Sequence, residues 1–333
     1  MRAWQMEQFG LDGLKLVDRP DPAPPGPGRA LVRIHAVSLN YRDWLTVQGL
    51  YNPRQKLPLI PCSDGAGEVI AVGEGVMRVK PGDRVCAIFA QGWHSGRISR
   101  EKLTTLGGPL DGMLCDLAVF DAEGLVPFPE HLSYQEAACL PCAGVTAWNA
   151  IVEQGRVQAG DTVVVQGTGG VSTFAMQFAK LQGARVIVLS SSDTKLAAVG
   201  ASEGINYRTM PDWDKRVREL TGGVGADHIV EVGGAGTLAR SLKAVRMGGT
   251  ISVIGQLSGN SAEINLIPIL MHNIRLQGVM VGSRETFESM NRAIATNKLR
   301  PILDTKELTF KEAKAGFEHL STGGHVGKIT LRN

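Results

Sequence analysis

Residues 162–172 read Thr-Val-Val-Val-Gln-Gly-Thr-Gly-Gly-Val-Ser, and the pattern turns helical from Ser172 to Gln182. Few stretches restrict a fold as tightly. An apolar β-branched run of this length reads as a strand buried on both faces. Gly167 permits a sharp turn after it, while Gly169 and Gly170 let another group approach the backbone closely. The helix N-terminus then presents unpaired N–H groups to an anion. Thr168 and Val171 lie in the same turn. Strand, glycine turn and helix in this order form the cradle that holds the pyrophosphate of a dinucleotide. Ser172 stands at the third glycine of the usual spacing, and its small side chain still allows close helix–strand packing.

The surroundings repeat the theme. Strands are expected at Arg185 to Leu189, Ile205 to Tyr207, His228 to Val232, Thr250 to Ile254 and Arg275 to Val281, alternating with helical patterns at 194–199, 214–221 and 237–245. Such alternation predicts a doubly wound parallel α/β sheet. Ligands bind such sheets at the carboxyl ends of strands, which brings Gly233, Ile254, Gly255, Gly282 and Ser283 into the candidate set. The second strand ends in Ser190-Ser191-Ser192-Asp193-Thr194-Lys195. Hydroxyls at Ser191 and Ser192 with the cation of Lys195 suit the 2′-phosphate of NADP. Asp193 argues the other way, since an acid there serves the ribose hydroxyls of NAD.

The first third is different. Ala30 to Val37, Gly67 to Val72 and Arg84 to Phe89 read as strands, and the five prolines between Arg19 and Gly28 demand an extended loop. The last fifty residues return to helices at 285–296 and 310–320 and a strand at 328–331. The reading is a discontinuous first domain, 1–126 plus 282–333, with a nucleotide domain at 127–281 inserted into it. Glycine is 41 of 333 residues against about 7% in average usage, as a chain of turns and close approaches requires.

Composition excludes several classes. The net charge is +3 without a Lys/Arg block, so nothing marks nucleic-acid binding. No apolar run reaches membrane-spanning length, and residues 1–10 lack an apolar signal core. Five cysteines, at 62, 86, 115, 139 and 142, suit a reducing compartment better than a disulfide framework. A soluble cytoplasmic protein is expected.

Taken together, the motifs resemble those of the medium-chain dehydrogenase/reductase superfamily. They are Leu39-Asn40-Tyr41-Arg42-Asp43 with Gly49-Leu50-Tyr51, Asp64-Gly65-Ala66-Gly67-Glu68-Val69, Pro81-Gly82-Asp83-Arg84-Val85, Ala143-Gly144-Val145-Thr146-Ala147-Trp148, the glycine turn, Ile205-Asn206-Tyr207, Gly248-Gly249-Thr250 and Gly327-Lys328-Ile329. The resemblance spans the chain and implies a Rossmann domain inserted into a β-rich GroES-like catalytic domain. It implies roles at the cofactor for Thr146, Tyr207 and Lys328, although the helix before Tyr207 is about one turn shorter than in the family. A homodimer is implied through the strand at 275–281.

Within that superfamily the chain is similar to the zinc-independent quinone oxidoreductase branch. Zinc-dependent members use Cys, a His in Gly-His-Glu, and a second Cys. At those positions stand Asn40, Cys62-Ser63-Asp64 and Cys142. No metal is therefore expected, and Cys139-Leu-Pro-Cys142 lacks the second pair of a structural zinc site. The implied activity is hydride transfer from NADPH, with NAD possible, to a quinone or α,β-unsaturated carbonyl. The implied catalytic set is Asn40, Tyr41, Asp43, Tyr51 and Asp64: Tyr51 the first candidate for proton donor, Asp43 holding the loop, Asp64 orienting water or substrate. Two alternatives use the same residues. One is an NAD(P)-dependent alcohol dehydrogenase or aldehyde reductase without zinc. The other is an NADPH-binding sensor or structural protein without turnover.

Overall fold

Thr162–Gln166 is buried at every position, because strands flank it on both sides. The computed structural model describes the whole chain, Met1–Asn333. It divides into two compact units, Thr146–Met280 and Met1–Val145 with Val281–Asn333.

In the first of these, six strands form one sheet in the order 203–206, 185–190, 162–166, 226–231, 245–253, 275–278, and every pairing is parallel. The chain therefore winds outward in one direction from Thr162–Gln166 and then in the other from Ala226–Glu231. Their adjacency is the topological switch point, where open α/β sheets bind ligands. Val164, Ile187, Leu189, Ile229 and Ile251 from the strands pack with Trp213, Val217 and Leu242 from the helices. Each such side chain contributes about 1.5–3 kcal/mol on full burial. The fifth strand, expected from Thr250, already begins at Val245, where it pairs with Ala226 across a register shift. The strand expected to reach Val281 ends at Gly278. A short helix, Ile267–Met271, lies between the fifth and sixth strands.

The other unit is built around Arg29–Ser38, which pairs antiparallel with Asp64–Val72 on one side. Thr330–Arg332 and Leu117–Asp121 pair with its other stretches. Arg84–Ala87 and Leu125–Pro127 extend the sheet beyond Asp64–Val72. Its core joins Met6, Leu14, Ile34, Leu39, Met113, Leu114 and Leu125 to Phe317. The strand expected from Gly67 begins at Asp64, so Gly65 and Gly67 both lie inside Asp64–Val72. A Cβ on Gly67 would sit 2.2 Å from the Arg33 carbonyl oxygen, so the glycine permits the close strand approach.

The first unit boundary falls after Val145, not at 126/127. Residues 127–145 stay with the β-rich unit because Tyr134 packs there. Its ring lies 4.4 Å from that of His35 and 5.8 Å from that of Phe128, and Arg84 covers it at 4.7 Å. No helix is long and apolar enough to cross a membrane. All five cysteines are free.

Candidate functional site

The β-rich unit contains a polar cluster assembled from four separate segments. It begins at the helix Tyr41–Val47, which Asn40 and Asp43 start with a reciprocal capping box. Fully buried Asp43 accepts hydrogen bonds from the Asn40 N–H at 2.9 Å, Arg42 Nη1 at 3.1 Å and the Ser63 N–H at 3.3 Å. It ties the helix start to the turn carrying Ser63 and Asp64. Cys62 enters that turn with a left-handed φ of 71°, a conformation that favours glycine.

Lys328 arrives from the C-terminal segment, itself buried. Its Nζ donates to Asn40 Oδ1 at 2.6 Å and to the Leu39 carbonyl at 2.7 Å. Asn40 Nδ2 donates to Ser63 Oγ across a long 3.4 Å. Ser63 Oγ donates to Asp64 Oδ1 at 2.7 Å, and the Cys142 N–H donates to Asp64 Oδ2 at 3.0 Å. Burial pushes the Asp64 carboxyl up to about 6, with Lys328 opposing and neighbouring Asp43 adding to the rise. Burial, and then Asp64, push the Cys142 thiol well up.

These residues do not fit a zinc ion. A tetrahedral zinc site draws at least three protein ligands from thiolates, imidazoles and carboxylates. The cluster offers an amide, a hydroxyl and a single thiol with no imidazole, and both Asp64 oxygens already accept hydrogen bonds. An ammonium 2.6 Å from the amide oxygen already brings a positive charge there.

Tyr41 and Tyr51 are exposed at 39% and 42%. The Tyr51 ring rests 4.8 Å from the guanidinium carbon of Arg42, which also lies 5.3 Å from the Phe89 ring. Buried Arg42 donates to the carbonyls of Leu106, Gly107 and Gly108 at 2.9, 3.2 and 3.4 Å. It fixes that loop and the face on which Tyr51 sits. The sequence reading assigned Arg42 no role, since an arginine on a helix gives no hint of being buried between two rings.

In the nucleotide unit Gly167 turns with φ 80°. Gly169 precedes the helix Gly170–Leu181 and has no side chain to cap it, which leaves first-turn N–H groups open to an anion. Thr168 and Ser172 are buried. The Ser172 hydroxyl donates back to the Gln166 carbonyl, so the residue in the third glycine position braces the turn. This cradle fits a pyrophosphate. At the next strand end Ser192 caps the helix Asp193–Ala198 through the Lys195 N–H at 3.4 Å. The Asp193 carboxylate is held by Asn206 Nδ2 at 3.1 Å. Ser191 is half-buried, and the Tyr207 ring is exposed at 41%.

The remaining candidates divide. Thr146 is buried in the nucleotide unit, where Ile254 bonds back to Glu231 through its N–H at 2.9 Å. Gly233 and Gly255 are there too, with internal reasons to be glycine. Added Cβ atoms would sit 2.2 Å from Thr237 Oγ1 and 2.4 Å from the Val232 carbonyl oxygen. Gly282, Ser283 and Lys328, which the sequence reading placed with the cofactor, belong to the β-rich unit. A Cβ on Gly282 would meet Val145 at 2.8 Å, and Ser283 caps the helix Arg284–Asn297. The ammonium of Lys328 is committed to Asn40 and Leu39.

Two family models match in the order of the two folds. Residues 26–130 match the alcohol dehydrogenase GroES-like domain, and residues 170–296 match the zinc-binding dehydrogenase domain. A zinc-type alcohol dehydrogenase-like protein of Schizosaccharomyces pombe is 40% identical over 98% of this chain and 97% of its own length. The chain belongs to the medium-chain dehydrogenase/reductase superfamily. An NAD-dependent alcohol dehydrogenase crystal structure in the same superfamily superposes with a TM-score of 0.91 at 35% identity, covering both chains completely. An acryloyl-coenzyme A reductase of Metallosphaera sedula is 29% identical over 96% of each chain. The superfamily assignment makes this chain an oxidoreductase.

Proposed function

We propose that this member of the superfamily is a zinc-independent, NADPH-dependent reductase of quinones and α,β-unsaturated carbonyl compounds. The observation that carries the reading is the Lys328–Asn40–Ser63–Asp64 chain of hydrogen bonds at the positions where the resemblance puts zinc ligands. NADPH, when bound at the Gly167–Val171 turn with its 2′-phosphate toward Ser191, Ser192 and Lys195, supplies hydride. As the β-carbon of an enone gains hydride, the C=C electron pair moves onto the carbonyl oxygen as an enolate. A proton delivered to the α-carbon completes the reduction.

An enolate or phenolate oxygen needs hydrogen-bond donors more than a strong Lewis acid. Asn40 Nδ2 supplies one. It faces Ser63 across a long contact and also bonds the Asp64 carboxyl, and the ammonium on Oδ1 polarises the amide toward stronger donation to a substrate oxygen. Tyr51, with its exposed ring anchored on Arg42, delivers the proton. Asp64 does not meet substrate in this reading, because both its oxygens are engaged; it orients Ser63 instead. Asp193, the acid that would favour NAD, is drawn to Asn206. The acryloyl-coenzyme A reductase relative supports reduction of a conjugated double bond. The test is NADPH oxidation with quinones, enones, enoyl thioesters and aldehydes in turn.

A second reading, oxidation of alcohols with NAD, draws on the NAD-dependent alcohol dehydrogenase neighbour. It requires NAD to bind more tightly than NADP, and paired titrations separate the two. A homodimer is proposed through the sheet edge at Arg275–Gly278. Leu276 is exposed on that strand, and Leu270, Met271 and Met280 are exposed nearby in sequence. Unpaired edges of this kind recruit a second strand; a sedimentation mass of one chain would reject it. The free cysteines support a reducing, cytoplasmic setting.

A further inference from the structure

Glu231 is fully buried, and every partner of its carboxylate is a neutral donor. Oε1 accepts from the Gly233 N–H at 2.9 Å, the Gly234 N–H at 3.0 Å and the Thr237 hydroxyl. Oε2 accepts from Gln166 Nε2 at 2.7 Å and the Ser241 hydroxyl. Gln166 Oε1 in turn accepts from the N–H groups of Val232 and Gly233, each at 3.2 Å. A buried charge is tolerated only when such donors replace its lost water.

The location gives this network its meaning. Gln166 ends the first strand and immediately precedes the Gly167 turn. Glu231 ends the fourth strand, two residues before Gly233. These strands pair directly, with Val165 opposite Val230, so the bridge spans the switch point of the sheet. The chain departs from it in opposite directions, which would let the two turns move independently. Gly233 shows how firmly they are tied, since its carbonyl also accepts from the Ser258 N–H at 2.7 Å and hydroxyl at 2.8 Å. With both backbone groups committed, Gly233 offers a ligand a smooth surface in place of a hydrogen bond.

We propose that Glu231 is a positioning residue that locks the Gly167 turn and the Gly233–Gly234 turn into one rigid surface, against which a dinucleotide is held. The proposal rests on the cofactor reading above. Glu231→Gln presents an NH2 group to N–H and O–H donors and releases one turn. In the swap Gln166→Glu/Glu231→Gln, the carboxylate placed at 166 accepts from the backbone and from the amide placed at 231, and pairing is regained.

The experiment measures binding of NADPH and of adenosine 2′-phosphate, which lacks the pyrophosphate, to full-length wild type, E231Q and the swap. Losing charge-assisted bonds at the turns should weaken NADPH binding by E231Q about tenfold or more. Adenosine 2′-phosphate, bound at Ser191–Lys195, should change by less than about twofold. The swap should recover NADPH binding to within about threefold of wild type; where E231Q fails to fold, the swap alone decides. Unchanged NADPH binding by E231Q, a parallel loss of both ligands, or a folded swap that does not recover overturns the proposal alone. A wild-type chain that binds no dinucleotide overturns the cofactor reading along with it.

Discussion

Lys328 Nζ lies 2.6 Å from Asn40 Oδ1, with both side chains buried in the β-rich unit. The two residues are 288 positions apart, and their pairing closes the discontinuous unit at the cluster proposed to act on substrate. Lys328→Met removes the charge and leaves two acceptors, Asn40 Oδ1 and the Leu39 carbonyl, without their donor. The expected outcome is a fall in kcat of about 10- to 100-fold, the equivalent of a lost charge-assisted hydrogen bond. NADPH binding should change little. Titrating the cofactor and measuring kcat on the same preparation checks both halves.

Asp43→Ala removes one half of the capping box at the start of the helix Tyr41–Val47 and the acceptor for the Ser63 N–H. It also strands Arg42, buried beside it. Breaking a buried pair of this type costs about 3–5 kcal/mol. Urea unfolding should show that loss as a lower midpoint. Asp43→Asn, which keeps one acceptor oxygen, should lose less.

Two buried groups give opposite pH slopes. The Asp64 carboxyl is raised from 3.8 to about 6, so the folded chain binds this proton more tightly than the unfolded chain. Its favourable contribution is complete below pH 3.8 and is lost as pH rises to about 6. His228 is lowered from 6.5 to about 4 by burial, so its contribution is complete above pH 6.5 and is lost as pH falls toward 4. Between about pH 4 and pH 6 the two oppose each other. Subtracting Asp64→Asn from wild type isolates the first: relative to the variant, wild type should lose about 2 kcal/mol from about pH 4 to pH 7. Chemical denaturation at several pH values measures it, and a flat difference would contradict the assigned environment.

How much of this was legible in the sequence depended on whether the signal was local. The glycine turn and the alternation of Val/Ile runs with helical segments are local, and they yielded the parallel sheet and its order of elements. The reciprocal cap of Asn40 and Asp43 lies within one helical turn, while the holding role expected of Asp43 came only through the resemblance. Glu231 and Gln166 were visible only as polar residues ending apolar strands; their pairing depends on strand order. The ties of Lys328 to Asn40 and of Tyr134 to His35 depend on tertiary contact. The first joins Lys328 to the polar cluster of the β-rich unit, and the second keeps residues 127–145 in that unit.

Gly233→Ala tests whether glycine is there for the fold. The new Cβ would sit 2.2 Å from Thr237 Oγ1, and overpacking of this kind costs about 1–3 kcal/mol. Adding Thr237→Ala should restore part of the stability by removing the clashing atom. Thermal melts of the single and double variants measure the recovery.

Reduction of a conjugated carbonyl by a polar cluster in place of zinc predicts a protein that turns over without metal. The most direct measurement follows NADPH consumption by metal-analysed wild-type protein against quinones, enones, enoyl thioesters and aldehydes, before and after chelation. The protein should turn over conjugated substrates, prefer NADPH to NADH, carry less than one zinc per chain and lose no activity on chelation. One tightly bound zinc per chain, with activity abolished when it is removed, would contradict it.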